Sequence, residues 1–382
     1  MKNLTIRIYP NQEQEKLLWR HIGACRFIWN WGLETQINEY DETQHRIGAT
    51  KMCKKLTNLK KQEDFQWLND ISITSLQQTI RELDRAFNDW FLVKDKGKPK
   101  FKKKKYGRQS YPVESRKFYF IDDTVQIAKL GKVKFRSSYE FPQGNRAYRF
   151  RNVRIRWENK KWLLSLCVDD DLCDNQAKIK PLNNYNMGID LGVKILCSVA
   201  VGDKHIEVPN INKSKRVKNL ESKLRHLHRN QTRKYRTNGN FDKTKNIIKI
   251  EDEIRKVYFR LRKIRKNYTH QTTTYLVNLY PQRIVMEDLN VIGLIKNRHL
   301  SKHIQNQYFY EFRRQMEYKC ADRGIEFILA DRFYPSSKTC SCCGAIKTNL
   351  KLSDRTYVCS ECGLVIDRDY NAAINLMNYS KD

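Results

Sequence analysis

The chain lacks any hydrophobic run long enough to cross a bilayer, which takes about 20 apolar residues. It is also short of acidic residues, because 42 Asp and Glu stand against 74 Lys and Arg and leave a formal charge of +32. A compact particle with this imbalance repels itself unless a polyanion neutralises it. The composition therefore argues against a membrane protein and favours nucleic acid as the partner.

The first residues, MKNLTIRIYPNQEQEK, lack the apolar core of a signal peptide, so we expect a cytoplasmic chain. In that compartment cysteines stay reduced or bind metal, and the eleven cysteines are not expected to form disulfides. A length of 382 residues predicts two or three domains.

Five of the cysteines cluster between residues 340 and 362, in CSCCG and CSECG. Cys340 and Cys343 form one C-x-x-C pair, and Cys359 and Cys362 form a second pair about 15 residues later. This spacing is typical of a zinc ribbon, in which four thiolates hold one structural zinc ion. Cys342 lies inside the first pair and is the expected spare thiol. A redox-active cysteine pair is the alternative interpretation.

The N-terminal segment predicts one strand followed by helices. LTIRIYP alternates apolar and polar residues, as a half-buried strand does, and Asn11 followed by Gln14 indicates a helix start. In SLQQTIRELDRAFNDWF the apolar residues share one helical face, while Gln77, Gln78 and Arg81 point elsewhere. Two interpretations of these three polar residues are open: they face solvent, or they contact nucleic acid.

A basic run occupies residues 94–112 and contains the consecutive Lys102, Lys103, Lys104 and Lys105. It can be a flexible charged linker, but its interleaved aromatic residues favour nucleic-acid contact equally. Strands return in VKFRSS and in VRIRWENKKWLLSLCVD, a predicted hairpin that turns near Asn159 and Lys160. Helices are therefore expected as an insertion between the first strand and the later ones.

The second half begins with three strand signals in succession, NMGIDLG, ILCSVAV and HIEVP. A long basic helical region then covers about residues 212–278. Its charged face can be exposed to solvent or can contact the phosphates of a nucleic acid, and both interpretations are open. The strand RIVMEDLN, a helix, the strand IEFILAD, the cysteine cluster and a closing helix, NAAINLMNY, complete the order. This order predicts a ribonuclease H-like α/β fold with its first and fourth strands side by side.

Acidic residues end two of these strands and begin the closing helix. Taken alone, Asp190 in GIDLG can simply open a turn at Gly192. In the predicted fold, however, Asp190 and Glu287 are neighbours, and Asp369 of DRDYNAAINL faces them. Three converging carboxylates favour hard divalent cations, Mg²⁺ or Mn²⁺. Two such ions about 4 Å apart support phosphodiester cleavage.

GIDLG, IVMEDL, SSKTCSCCG, CSECG and DRDYNAAINL together resemble the signature motifs of the TnpB family, transposon-encoded RNA-guided nucleases related to compact type V CRISPR effectors. RIYPNQEQEKLL, CRFIWNWGL and LQQTIRELDRAF with FKKKK after it are also similar to that family. The resemblance implies a β-rich wedge domain with an inserted helical recognition domain, then a RuvC-like nuclease domain with a zinc-ribbon insertion. The implied boundaries are 1–10 and 106–180 for the wedge domain, 11–105 for the recognition domain, 181–382 for the nuclease domain and 335–366 for the insertion.

The resemblance also implies a function. A guide RNA from the transposon end, one protein per guide, selects double-stranded DNA beside a short flanking motif, and one RuvC site cuts both strands. Carried onto this chain, the catalytic acids are Asp190, Glu287 and Asp369, and Asp369 matches the family acid better than Asp367. The helix with Gln77, Gln78 and Arg81 is expected near the flanking duplex, and Lys102–Lys105 near phosphates. The implied location is the nucleoid of a prokaryote.

Two other functions fit parts of the sequence. A transposase or junction nuclease of the same fold would need no guide RNA. A catalytically silent, guided DNA-binding repressor would have lost an acid, whereas all three acids are present. A zinc-ribbon binding module accounts only for the C-terminal part.

Overall fold

The structure is a computed structural model of the chain. It describes residues 2–94, 96–104, 108–115, 117–137, 141–144, 150–168, 182–239, 243–299, 301–351 and 354–380. These residues belong to two compact units, Met1–Gln176 and Ala177–Asp382. Across the described ranges, no helix is both long enough and apolar enough to cross a membrane.

In the described part of the first unit, seven strands form one antiparallel sheet. They are β1 (Lys2–Tyr9), β2 (Gln109–Pro112), β3 (Tyr119–Ile121), β4 (Thr124–Ile127), β5 (Gly131–Arg136), β6 (Arg151–Glu158) and β7 (Lys161–Val168). Their order is β2-β6-β7-β1-β5-β4-β3. The strand predicted at LTIRIYP is confirmed as β1, whose Leu4, Ile6 and Ile8 are all buried.

Helices are inserted between β1 and β2, as predicted. They are α1 (Gln12–Thr43), α2 (Ala49–Leu59) and α3 (Ile73–Leu92), with a 3-10 segment at Glu63–Asp70. A capping box formed by Asn11 and Gln14 starts α1, which confirms the predicted helix start. The apolar face predicted for α3 is also confirmed, because Leu76, Ile80 and Leu83 are buried.

The predicted hairpin consists of β6 and β7. Its two turn residues, Asn159 and Lys160, have φ angles of 51° and 59°. Two consecutive residues in the left-handed region match the right-handed twist of the flanking strands, which is why such two-residue turns are common in hairpins.

The second unit contains a five-stranded sheet in its described part. The strands are β8 (Asn183–Leu191), β9 (Cys197–Val201), β10 (Lys204–Val208), β11 (Pro281–Glu287) and β12 (Glu326–Ala330), in the order β10-β9-β8-β11-β12. The first three form an antiparallel meander, while β11 is parallel to both β8 and β12. The predicted adjacency of the first and fourth strands is therefore confirmed.

Six α-helices lie in the described part of this unit, besides a short 3-10 helix at Ile211–Lys213. They are α4 (Lys215–Thr237), α5 (Lys245–Val277), α6 (Val291–Lys296), α7 (Ser301–Gln307), α8 (Phe309–Ala321) and α9 (Arg368–Met377). The basic region is a pair of packed helices, because α4 and α5 share an apolar cluster of Val217, Val257 and Leu261. Before α9, a short hairpin of β13 (Thr356–Val358) and β14 (Val365–Asp367) carries the second pair of clustered cysteines between its strands.

Candidate functional site

Asp190 and Glu287 lie side by side at one edge of the second sheet. Ile189 of β8 is paired with Met286 of β11, so the next residue along each parallel strand is Asp190 on one and Glu287 on the other. Carboxyl ends of parallel strands meet at the same edge of a sheet, where open α/β folds bind their ligands. The strand order therefore brings together two of the three predicted acids.

Gly188 allows α9 to approach this edge. A Cβ atom on Gly188 would lie 2.0 Å from the carbonyl oxygen of Ala373 and 2.3 Å from the backbone nitrogen of Met377. The backbone of α9 therefore packs directly on β8, which only glycine permits. Asp190 is two residues further along the strand and projects from the same face. This contact places the first turn of α9, with Asp369, next to Asp190.

Electrostatics show that the three acids share one environment. Desolvation raises the pKa of Asp190 well above its ordinary value, and the negative charges of Glu287 and Asp369 raise it further. The nearby Arg368 acts in the opposite direction on the Asp190 pKa. Asp190 is half-buried, and a carboxylate in such a position with two like-charged neighbours is unfavourable as an isolated group and fits a site for a cation.

The other two acids have contacts of their own. Glu287 accepts a 2.8 Å hydrogen bond from the Ser336 hydroxyl, and Asp369 has a long ion pair of 3.8 Å with Arg355. Asp367 instead caps α9, because its carboxylate accepts hydrogen bonds from the backbone nitrogens of Asp369 and Tyr370. Asp367 therefore caps the helix, whereas Asp369 lies beside Asp190.

Asp288 has a different environment from Glu287, the residue before it. Arg313 of α8 donates to one of its oxygens at 2.6 Å, and Arg332, just after β12, donates to the other at 2.7 Å. These contacts, with Arg332 as the main one, hold the pKa of Asp288 below its ordinary value. This group cannot be predicted from the sequence, because nothing in the order of residues links Asp288 to two distant arginines.

A stacked pair of rings also borders the acids. Ser198 of β9 is the pairing partner of Asp190, and its hydroxyl lies 2.8 Å from Nε2 of His205. The His205 ring stacks on Tyr370 with centroids 4.0 Å apart and planes at 18°. Because Tyr370 follows Asp369, the stack fixes the first turn of α9 against β10. This contact is not among the sequence predictions, because neither residue type signals it.

The four predicted zinc ligands form one cluster. The sulfur atoms of Cys340, Cys343, Cys359 and Cys362 all lie within 4.8 Å of one another. The Cys340–Cys362 and Cys343–Cys359 sulfurs are 3.6 Å apart, close to the edge of a tetrahedron with Zn–S bonds of about 2.3 Å. Cys342 is exposed and is not part of the cluster. The four cysteines can therefore hold a zinc ion.

The pKa of Cys359 is lowered within this cluster, whereas desolvation and hydrogen bonds to neighbouring thiols raise the pKa values of Cys343 and Cys362. Backbone N–H groups at Cys362 and Glu361 help to lower the pKa of Cys359 to about 6, with the Cys362 group as the largest contribution. Gly344 and Gly363, which end the two cysteine pairs, have φ angles of 77° and 71°, a region that favours glycine. The local sequence thus supplies the turns that a four-cysteine metal site needs.

The polar residues predicted on α3 line a cleft in the first unit. Gln77, Gln78 and Arg81 border a cavity of about 560 Å³, whose lining also includes Asn152 and Arg154 of β6. Amide and guanidinium groups from α3 and β6 give the cleft several hydrogen-bond donors. The predicted nucleic-acid contact of these residues stays a prediction.

The lysines of the basic run differ from one another. The ammonium group of Lys102 lies 3.4 Å from the ring centre of Trp29, and burial lowers its pKa to about 8. Its backbone also exchanges two hydrogen bonds with Asn30 of α1. Lys103 and Lys104 are exposed, and Lys105 lies outside the described residues. Lys102 therefore anchors the run to α1, and contact of the run with phosphates stays a prediction.

The strand order, the acids at the ends of β8 and β11 and the cysteine-rich insertion before α9 define a mixed α/β protein with a RuvC-like fold. Three family models match the chain: a helix-turn-helix domain over residues 1–45, a probable transposase over 167–298 and a Cas12f1-like TNB domain over 309–376. Over the first range the described residues form one strand and one 32-residue helix.

A protein of Streptomyces pristinaespiralis, provisionally named an RNA-guided DNA endonuclease, is 31% identical over 97% of this chain and 87% of its own. InsQ of Escherichia coli K12, with the same provisional name, is 27% identical over 97% and 90%. The structure of the mini-RNA-guided endonuclease CRISPR-Cas phi3 is similar in fold over 99% of this chain and 92% of its own, with a TM-score of 0.50 and 11% identity. The chain belongs to the TnpB family.

Proposed function

We propose that this protein is an RNA-guided DNA endonuclease that cuts both strands of a DNA target at a single RuvC-like site. The observation that carries the proposal is the shared environment of Asp190, Glu287 and Asp369. Relatives that cover nearly the whole chain have names of the same kind. The net charge of +32 suits an RNA and a DNA partner. The proposed location of the protein is the nucleoid.

The three acids are proposed as ligands of Mg²⁺ or Mn²⁺. When bound, two such ions supply an activated water and stabilise the leaving oxygen in phosphodiester hydrolysis. Asp190, Glu287 and Asp369 would hold the ions from two strand ends and one helix. Ser336 orients Glu287 through its hydrogen bond, and Gly188 keeps α9 close enough for Asp369 to take part.

The remaining elements are proposed to bind and position nucleic acid. The suggested domains are a wedge domain at 1–10 and 106–180, a recognition domain at 11–105 and a nuclease domain at 181–382 with an insertion at 335–366. Gln77, Gln78 and Arg81 would read the duplex beside the target, and the run Lys102–Lys105 would contact phosphates. One zinc ion held by the four clustered cysteines would stabilise the insertion.

RNA dependence tests the guided function. The protein is expressed with its own transposon end, the RNA that copurifies is sequenced, and cleavage of a matching plasmid with Mg²⁺ is measured before and after RNase treatment. The proposal predicts one guide RNA per protein, and cleavage that is lost with the RNA. Equal cleavage without RNA would instead identify a guide-independent nuclease of the same fold.

A further inference from the structure

Two asparagines of α9, Asn371 and Asn375, are buried although their side chains are polar. They are 0% and 6% exposed. Because residues one helical turn apart are neighbours on the surface of a helix, the two side chains lie on the same face of α9. A buried amide is unfavourable unless its donors and its acceptor are paired. The partners of the two asparagines therefore show what this face of the helix holds in place.

Both asparagines bind the backbone of the segment that leads into the cysteine cluster. The side-chain nitrogen of Asn371 donates to the carbonyl oxygen of Thr339 at 2.7 Å, and its side-chain oxygen accepts from the backbone nitrogen of Ser341 at 2.9 Å. The side-chain nitrogen of Asn375 donates to the carbonyl oxygens of Ser336 and Thr339, both at 2.7 Å. These hydrogen bonds fix both ends of the segment to α9.

The partners also show why an amide is needed at both positions. Asn375 faces two carbonyl oxygens, which only accept hydrogen bonds, so its nitrogen must point towards them. Asn371 faces one acceptor and one donor, so its side chain must supply both kinds of group. An ionised aspartate has no donor, and an apolar side chain has neither group. The two asparagines of NAAIN thus have a role that helix formation alone does not require.

The segment held by the asparagines has a functional residue at each end. Ser336 is 3% exposed and donates its hydroxyl hydrogen to Glu287 at 2.8 Å. At the other end Cys340 belongs to the cysteine cluster, and the next residue, Ser341, donates its backbone N–H to α9. The helix that carries Asp369 in its first turn therefore also holds the serine that contacts Glu287.

We propose that Asn371 and Asn375 are positioning residues for the catalytic cation, an inference that rests on the proposed nuclease function. They act through Ser336, which keeps the carboxylate of Glu287 in place. Because Asp369 lies on the same helix, α9 sets the positions of two of the three acids together. Groups that orient the ligands of a metal contribute strongly to its affinity, and their loss typically lowers the affinity 10- to 100-fold.

Binding of Mn²⁺ to the full-length protein, measured by electron paramagnetic resonance without nucleic acid, tests this role directly. Asp190→Ala gives the level of ions bound elsewhere on the protein. Above that level, Asn375→Ala should weaken Mn²⁺ binding by about tenfold. The matched control is Asn378→Ala, at an exposed asparagine that ends the same helix, and it should bind Mn²⁺ like the unaltered protein. Equal affinities for the Asn375→Ala and Asn378→Ala proteins would overturn the proposal.

A double-mutant cycle tests whether the asparagine acts through the serine. Ser336→Ala should weaken Mn²⁺ binding about as much as Asn375→Ala, and the double variant should be no weaker than either single variant. Ser380→Ala, at an exposed serine just after α9, is the control and should have no effect. Losses of affinity that add in the double variant would contradict action through Ser336.

Stability measured in parallel separates positioning from a purely structural role. Asn375→Ala leaves two carbonyl oxygens without their donor, so the unfolding midpoint should also fall. A lower midpoint with unchanged Mn²⁺ affinity of the folded protein would show a structural role only and would overturn the proposal. If Asn375→Ala does not fold, Ser336→Ala decides, because unchanged Mn²⁺ affinity in that variant would also overturn the proposal.

The same measurements distinguish failure of this inference from failure of the proposed function. Equal Mn²⁺ binding by the unaltered protein and by Asp190→Ala would refute the cation site itself, and the positioning role with it. Binding that is lost with Asp190→Ala but retained with Asn375→Ala and Ser336→Ala would refute the positioning role and leave the nuclease function intact.

Discussion

A Cβ atom on Gly188 would lie 2.0 Å from the carbonyl oxygen of Ala373, so β8 and α9 are in direct backbone contact. This contact decides where the third acid lies, because Asp369 is in the first turn of α9 and Asp190 is two residues beyond Gly188. The site is therefore assembled by close packing of a helix on a strand as well as by the order of strands in the sheet.

Gly188→Ala should destabilise the second unit. The added methyl group meets backbone atoms, which cannot rotate away, so the cost should be about 3 kcal/mol, at the upper end of the usual overpacking range. Chemical denaturation monitored by intrinsic fluorescence measures it. Gly97→Ala is the control, because no atom lies within 4 Å of a Cβ at Gly97. Equal unfolding midpoints for the two variants would show that α9 can move aside at little cost.

Part of this arrangement follows from the sequence and part does not. The adjacency of Asp190 and Glu287 is predictable, because a meander followed by a crossover to a parallel strand has few solutions. The role of Gly188 depends on the distance between α9 and β8, and its only signal is a glycine inside an apolar strand. Glu287 and Asp288 are consecutive acids, and only the tertiary positions of Arg313 and Arg332 distinguish their roles.

Zinc content tests the cysteine cluster. Purified protein should contain one zinc ion per chain by elemental analysis, and Cys359→Ser should lose the metal and unfold the insertion, since metal binding and folding are coupled. Cys342→Ser should retain zinc, because Cys342 is exposed and outside the cluster. Loss of zinc from Cys342→Ser with retention in Cys359→Ser would reverse the ligand assignment.

Lys319 predicts a pH dependence of stability at high pH. Burial lowers its pKa to about 8, and its ammonium group donates to the hydroxyls of Thr273 and Thr274 between α8 and α5. The unfolded chain therefore binds this proton more tightly, and the free energy of unfolding should rise between about pH 8 and 10.5. Lys319→Met should flatten this rise, whereas Lys302→Met, at an exposed lysine of α7, should not. Identical pH profiles would contradict the prediction.

The cleft of α3 should set the preference for the flanking DNA motif. Gln77→Ala and Gln78→Ala should change which flanking sequences are cleaved in a randomised library, because base-edge contacts carry sequence information. Lys103→Ala and Lys104→Ala should weaken binding to all sequences and reduce its salt dependence. An unchanged motif preference in both glutamine variants would show that another surface reads the motif.

The role of Asp190 is the central claim, and cleavage and binding measured side by side test it most directly. The assay uses the protein with its guide RNA, Mg²⁺ and a plasmid target beside the flanking motif. Asp190→Ala should lower the rate of cutting of both strands by at least about a thousandfold while target binding persists. Because the three acids act as one unit, adding Glu287→Ala should make no further difference. Asp367→Ala, at the cap of α9, should have a milder effect on the rate. Substantial cutting of either strand by the Asp190→Ala protein would contradict the assignment of this site.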